Sequence, residues 1–171
     1  MISANDQYLT FRVAHDEYGV AILGVREIVP FRPLTRIPTT PSYIRGVFNL
    51  VGRVIPVIDL SVKFGFGESL IHSRSCVVVT ELPLDGDMTM LGFLVDAIGE
   101  VVDLPREAIE PPPPFGIPVR LDYLAGVGRC AGRMVLLLDI ERVLSSLEIL
   151  GMTRLAGQAG AAAAPAAMET V

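Results

Sequence analysis

Short apolar runs separated by glycine, proline and acidic residues are the main pattern of this chain. Between Tyr8 and Val13 the apolar side chains alternate, which is typical of a half-buried strand. Similar runs rich in Val, Ile or Leu occupy residues 18–23, 53–58, 76–80, 91–95, 100–104 and 134–138. Strands this short, with frequent turn residues between them, predict a mainly β protein built as small barrels or a sandwich.

Helical signals are few. Residues 43–50 follow Pro41 and Ser42, and with Ser42 as N-cap this order predicts a short helix. A second helix is predicted over residues 139–150, where one stripe contains Ile140, Val143, Leu144, Leu147 and Leu150. Residues 1–7 are interpreted as an N-terminal tail. Residues 151–171 are rich in Ala and Gly and lack large side chains, which predicts a disordered tail.

The chain contains an internal repeat. Identical residues recur in register at 43/123, 46/126, 47/127, 52/132, 53/133 and 59/139, and the upstream Gly19 and Glu27 correspond to Gly92 and Glu100. Each copy has about 45 residues, a size at which a separate hydrophobic core is marginal. The copies are therefore predicted to pack on each other. Spacing alone leaves open whether they are swapped or side by side.

The sequence lacks the patterns of known catalytic and metal sites. His15 and His72 lie in predicted loops, and no HExxH, GxSxG or P-loop motif occurs. Residues 126–131 match the loose GxGxxA pattern, but a predicted helix precedes them and a strand follows, the reverse of a dinucleotide site. Cys76 and Cys130 are too distant in sequence for a CxxC site, and Cys76 is predicted to be a buried thiol. No enzyme activity, metal or cofactor is therefore expected.

Two features allow more than one interpretation. Asp59 and Asp139 each end an apolar run, so they are either a carboxylate pair for acid–base chemistry or, as we favour, helix N-caps. The prolines at 111–114 are either a polyproline ligand for an SH3 domain or a stiff connection. We favour the connection, because no basic residue flanks the run.

Charge and hydropathy limit the classes of partner. The formal net charge of −5 argues against nucleic acid. No apolar run approaches the roughly 20 residues that cross a bilayer, and the N-terminus lacks a secretory signal, so a cytoplasmic protein without membrane insertion is expected. Residues 26–53 contain five arginines and one acid, whereas residues 81–110 contain eight acids and one arginine. Opposite charges on two copies of one module suit end-to-end association with a related module.

Several long motifs resemble the CheW family over about 140 positions. They include EYGVAILGVREIV, RIPTTPSYIRGVFNLVGRVIPVIDL and YLAGVGRCAGRMVLLLDIERVL. The resemblance implies a CheW-like domain over residues 8–150, made of two intertwined five-stranded SH3-like β-barrels with a few short helices. Barrel one would span approximately residues 8–70 plus the 139–150 helix, and barrel two approximately residues 75–138.

The resemblance also implies a function. CheW proteins are non-catalytic adaptors that couple methyl-accepting chemoreceptor tips to the histidine kinase CheA in chemotaxis, a two-component system. The regulatory domain of CheA has the same double-barrel form. The family's V-x-E element matches Val25 and Glu27, which implies receptor and kinase contact. The receptor-facing groove would be bordered by residues of the 44–53 segment, namely Gly46, Val47, Asn49, Leu50, Gly52 and Arg53.

One position departs from the family pattern. Val51 stands where the family commonly has Arg, which points to a non-standard receptor or another array, with Arg53 as a possible substitute charge. A coupling protein of a pilus-motility or surface-sensing array is therefore an alternative. A small β-barrel that binds RNA or a metabolite is an alternative of another class, and an enzyme is the least supported.

Overall fold

The computed structural model describes residues 6–84 and 87–144 and is mainly β. Within these ranges its strands are β1 (Gln7–Val13), β2 (Asp16–Ala21), β3 (Val25–Pro30), β4 (Ile44–Leu50), β5 (Arg53–Asp59), β6 (Cys76–Leu84), β7 (Asp87–Val95), β8 (Ala97–Asp103), β9 (Ile109–Glu110), β10 (Leu124–Cys130) and β11 (Arg133–Leu138). The one-turn helices α1 (Leu60–Lys63) and α2 (Ile140–Val143) follow β5 and β11. Single 3₁₀ turns lie at Ile22–Gly24, Arg106–Ala108 and Leu121–Tyr123.

The strands form two sheets that exchange hairpins. The first barrel has the order β3-β6-β7-β5-β4, and the second has the order β8-β1-β2-β11-β10-β9. Each exchanged hairpin joins its new sheet through a parallel pair, β7 with β5 and β2 with β11. The two copies are therefore swapped, and the predicted fold of two intertwined SH3-like barrels is confirmed. Each barrel draws strands from both halves of the chain.

The central strands are buried on both faces. In β6, Val77 and Val79 belong to the apolar cluster of the first barrel, whereas Val78 packs in the main core between the barrels. In β11, Val135 and Leu137 fill the second barrel, and Leu136 faces the main core. Because side chains alternate along a strand, a strand between two cores needs an unbroken apolar sequence. This arrangement explains why these runs do not alternate with polar residues.

Three predictions about secondary structure are corrected. Residues 43–50 were predicted as a helix, but β4 is a strand that pairs antiparallel with β5, and its counterpart β10 includes the supposed helix before residues 126–131. Helix α2 ends at Val143, because the backbone of Leu144 is extended, so an unbroken helix over 139–150 is wrong at Leu144. Residues 145–150 and the predicted tail at 151–171 lie outside the described residues.

The N-terminal and proline-rich segments complete the described chain. Gln7 already belongs to β1, and Leu104 N donates to Asp6 O at 2.7 Å, so the predicted tail is shorter than seven residues. Residues 111–114 have no regular secondary structure. Beyond them Ile117 packs against the main core and Val119 is buried, which anchors this connection to the core. Its role as a stiff connection stays a prediction.

Candidate functional site

The residues singled out from the sequence lie at two places on the first barrel. Val25 and Glu27 belong to the edge strand β3, where Val25 is half-buried and Glu27 is exposed. The others belong to the β4–β5 hairpin, which forms the opposite edge of the same sheet. These are Gly46, Val47, Asn49, Leu50, Gly52 and Arg53.

A row of contacts crosses the sheet between these two places. Arg26 of β3 forms an ion pair with Glu81 of β6. Glu81 lies opposite Met90 of β7 in the antiparallel register. Arg53 at the start of β5 donates a hydrogen bond from Nη1 to the sulfur of Met90 at 2.7 Å. One continuous surface therefore connects the V-x-E element with the hairpin.

Three of the predicted residues are buried or half-buried and support this surface from inside the barrel. Val47 is buried, and its backbone N–H and C=O bond Thr35 at 2.8 and 2.9 Å. Gly46 has φ +149°, and a Cβ there would lie 2.6 Å from Thr35 O. Only glycine permits this close approach of the preceding loop, which explains why the position recurs as Gly126, beside β9. Leu50 is half-buried and packs against the cluster of the first barrel.

The hairpin turn exposes an apolar residue. Val51 and Gly52 both have positive φ, 50° and 80°, as in the two-residue type I′ turns that join twisted strands. Asn49 Oδ1 accepts a hydrogen bond from Gly52 N at 3.0 Å, so this side chain stabilises the turn. Val51 is 93 % exposed. A β-branched residue is rarely found in this conformation, and here it lies at the tip of the candidate surface.

In the second barrel the equivalent charges neutralise each other. Arg133, the counterpart of Arg53, donates from Nη2 to Glu100 Oε1 at 2.8 Å. Its Nε lies 3.6 Å from Glu17 Oε1. The hydrogen bond to Glu100 and, next, the charge of Glu17 raise the pKa of Arg133. Barrel two thus binds its hairpin arginine with its own carboxylates.

In the first barrel the corresponding charges are not paired. The repeat register, extended two residues before Gly19 and Gly92, aligns Glu17 with Met90. Arg53 therefore meets a neutral thioether where Arg133 meets a carboxylate. Glu27, the counterpart of Glu100, forms no ion pair with any residue of 6–84 or 87–144. Sequence reasoning overlooked Met90, although this extended register is the signal that reveals it.

Asp59 and Asp139 are both helix N-caps, as predicted. Asp59 Oδ1 accepts from Ser61 N at 3.0 Å, and Asp139 Oδ1 accepts from Glu141 N at 3.2 Å. Each carboxylate thereby bonds an N–H group that the first turn of its helix leaves unpaired. The two caps belong to different barrels, so the arrangement gives no support to an acid–base pair.

The other reactive residue types form no cluster. His72 Nδ1 accepts a hydrogen bond from Arg74 N at 3.1 Å. Cys76 is half-buried rather than fully buried, and burial raises the pKa of its thiol. Across the two described ranges, no three His, Cys, Asp or Glu side chains meet in a way that could hold a metal ion. The helices of the described chain are all too short or too polar to cross a bilayer.

Residues 26–53, which contain five arginines, offer fewer free positive charges to a partner than their composition suggests. Arg26 is paired with Glu81, which itself belongs to the acidic stretch, and Arg45 is paired with the buried Asp59. The guanidinium of Arg32 lies over the ring of Phe48 at 4.7 Å. Ion pairs within the molecule thus neutralise part of the positive charge of residues 26–53. This leaves a smaller positive surface for RNA than the five arginines indicate.

Comparisons with known proteins agree on one family. Residues 7–148 match the family model described as CheW-like domain. The chain is 37% identical over 147 residues to the chemotaxis protein CheW of Klebsiella aerogenes, covering 86% of each chain. It is 31% identical to the chemotaxis protein CheW of Treponema pallidum, over 87% of this chain and 88% of that protein. The crystal structure of the scaffolding protein TtCheW from Thermoanaerobacter tengcongensis superposes with a TM-score of 0.74 at 31% identity, over 85% of this chain and 93% of that chain.

Proposed function

Because the chain belongs to the CheW family of chemotaxis scaffold proteins, we propose that it is a cytoplasmic, non-catalytic adaptor that couples methyl-accepting chemoreceptors to a CheA-type histidine kinase. It acts through folded surface and carries out no chemical step. The contacts lie on the first barrel, at Val25 and Glu27 of β3 and on the exposed part of the β4–β5 hairpin.

The charge difference between the barrels carries this assignment. Glu27 and Arg53 are exposed and lack partners of opposite charge in the described chain, whereas Glu100 and Arg133 bond each other. An exposed charge that the protein's own fold leaves unpaired can form a complementary contact with little loss of existing interactions. Val51 and Ile28 add exposed apolar area beside these charges. Apolar side chains flanked by complementary charges are typical of protein interfaces.

The test is a charge reversal with an internal control. Glu27→Arg is expected to weaken assembly with receptor and kinase by about 2 kcal/mol, the scale of an interface hot spot and close to a thirtyfold loss of affinity. The measurement is a ternary pull-down, followed by titration of the purified kinase regulatory domain.

Glu100→Arg is the matched control, because Glu100 is the same position of the repeat in the second barrel. Its replacement changes exposed charge contacts within the second barrel and leaves the surface of the first barrel intact, so assembly should stay close to that of the wild type. Unchanged assembly of the Glu27→Arg protein, or equal weakening by both replacements, contradicts the assignment.

A pilus-motility or surface-sensing array is the second candidate. The exposed Val51, where the family commonly has Arg, favours it, because a fully exposed apolar tip suits a different receptor surface. Pull-downs that compare the wild type with Val51→Arg distinguish the two cases. If chemotaxis receptors are retained better by Val51→Arg than by the wild type, the wild-type chain serves another array.

A further inference from the structure

The hairpin arginine of each copy meets a different acceptor. In the second barrel Arg133 lies beside Glu17, whose Oε1 is 3.6 Å from the arginine Nε. At the repeat position of Glu17 the first barrel has Met90, and Arg53 donates a hydrogen bond to its sulfur at 2.7 Å. A thioether sulfur is a weak acceptor, so Met90 binds the guanidinium of Arg53 less strongly than a carboxylate would.

The sulfur of Met90 lies near the surface of the sheet. Met90 is half-buried, and its side chain packs in part against the apolar cluster of the first barrel. Arg53, which contacts the sulfur, is itself exposed. Glu81, opposite Met90 on β6, is paired with Arg26, so this carboxylate is already engaged. A sulfur in contact with an exposed side chain is accessible to a small water-soluble oxidant such as hydrogen peroxide.

Oxidation of Met90 would place an oxygen acceptor where the second barrel has one. A hydroperoxide converts methionine to methionine sulfoxide, which is polar and accepts hydrogen bonds through its oxygen. A lone pair of the sulfur attacks one peroxide oxygen, the O–O bond breaks, and the hydroxide that leaves takes the proton of the transferred oxygen. The sulfur thus loses two electrons, the peroxide gains them, and one water is released for each sulfoxide formed.

We propose that Met90 is an oxidation site at which a peroxide controls the availability of Arg53. The sulfoxide oxygen accepts from the guanidinium of Arg53, in the place where Glu17 faces Arg133, and a hydrogen bond from a charged donor is of the stronger kind. The second barrel shows that the fold accommodates an oxygen acceptor beside the hairpin arginine. Capture of Arg53 does not depend on the proposed function, whereas its consequence for assembly rests on it.

The first experiment follows the oxidation and the arginine without a partner. The full chain is treated with hydrogen peroxide, and peptide mass spectrometry measures the conversion of each methionine. Met88 and Met134, which are 49 % and 44 % exposed, show that the reagent has acted. Phenylglyoxal, which modifies free guanidinium groups, then measures the reactivity of Arg53. Oxidation of Met90 should lower the rate of modification at Arg53 about fivefold, towards the rate at Arg133.

Two replacements of Met90 separate the sulfoxide from other effects of peroxide. Met90→Leu nearly keeps the volume of the side chain and cannot form a sulfoxide, so peroxide should leave the rate at Arg53 unchanged. Met90→Gln supplies a neutral oxygen acceptor, so Arg53 should react slowly before any treatment. In the oxidised wild type, methionine sulfoxide reductases for both epimers, with a thiol reductant, should restore the original rate.

Assembly is measured separately, because it depends on the proposed function. Oxidation of the wild type should lower the affinity for the kinase regulatory domain about threefold, whereas treated Met90→Leu protein should bind as it did before treatment. Untreated Arg53→Gln protein is the reference for loss of this charge. If it binds as the wild type does, the contact of Arg53 in the proposed function is wrong, and the oxidation site is decided by the phenylglyoxal rates.

Several results overturn the proposal. They are an intact Met90 after the two exposed methionines have been converted, an unchanged rate at Arg53 when Met90 is oxidised, and an equal fall of that rate in treated Met90→Leu protein. Unchanged affinity of the oxidised wild type, when Arg53→Gln does weaken binding, overturns the control of assembly.

Discussion

In the first barrel the charge at the end of β5 is fully enclosed, whereas two charges on the sheet surface have no partner of opposite charge within the described residues. Asp59 is bonded by Arg45 and Ser69, while Glu27 and Arg53 have no partners of opposite charge in the described chain. In the second barrel the arrangement is reversed.

There Glu17 and Glu100 neutralise Arg133 on the sheet surface, and the side chain of Asp139 is 34 % exposed. Each copy of the module thus uses one of these two places for its own stability and leaves the other exposed. A repeated sequence with a shared topology can in this way present two different surfaces to partners. Replacements at equivalent positions test this difference directly, since each copy is the control for the other.

The largest difference in stability is expected at the two aspartates. Asp59→Ala leaves Arg45, whose side chain is 14 % exposed, as an uncompensated charge, and removal of one member of a buried pair costs about 3–5 kcal/mol. Asp139→Ala removes a half-buried N-cap, which costs about 1 kcal/mol. Urea unfolding of both proteins measures the free energies. Equal losses would show that burial of Asp59 does not distinguish the copies.

A smaller difference is expected at the glycines of the exchanged hairpins. A Cβ on Gly92 would lie 2.6 Å from Val77 Cγ1 inside the first barrel, whereas one on Gly19 would lie 3.1 Å from Leu137 Cδ2. Gly92→Ala should therefore destabilise by about 2 kcal/mol, and Gly19→Ala by less than about 1 kcal/mol. Thermal and urea unfolding give the order of the two effects. A larger loss for Gly19→Ala contradicts the packing difference.

Much of the fold follows from the local pattern of apolar and polar residues, and the wrong predictions of secondary structure have a physical cause. The strands β1, β5 and β11 were predicted close to their observed bounds because alternation or β-branched residues mark them. β4 was predicted as a helix, because it follows Pro41 and Ser42 and Ser42 is a residue type that caps helices. The antiparallel pairing with β5 makes this segment a strand. A short stretch of sequence read by itself does not specify such a tertiary pairing.

The sequence alone was enough to propose which residues belong to the candidate surface, but it did not predict how their charges are paired. The repeat and the family motifs located Glu27 and Arg53 on the sequence, but Arg53 meets Met90 rather than a carboxylate because β7 of the exchanged hairpin pairs with β5. Spacing could not decide the exchange, because both swapped and unswapped barrels bury the same apolar residues.

The smallest expected effect concerns the two hairpin turns. Val51 and Ala131 occupy equivalent turn positions with φ of 50° and 52°, and a β-branched residue has the greater strain there. Asn tolerates this conformation, and Asn-Gly is the preferred type I′ pair. Val51→Asn should therefore stabilise the fold by about 1 kcal/mol, and Ala131→Asn by about 0.5 kcal/mol. Both values are measured by urea unfolding.

The same two replacements separate stability from binding. On the proposed surface Val51 is an exposed apolar contact, so Val51→Asn should weaken assembly with receptor and kinase by about 1 kcal/mol while it stabilises the protein. Ala131→Asn should raise stability and leave assembly unchanged. If both proteins gain stability and assemble as the wild type does, the strained valine is not retained for binding, and the first barrel's hairpin tip lies outside the partner interface.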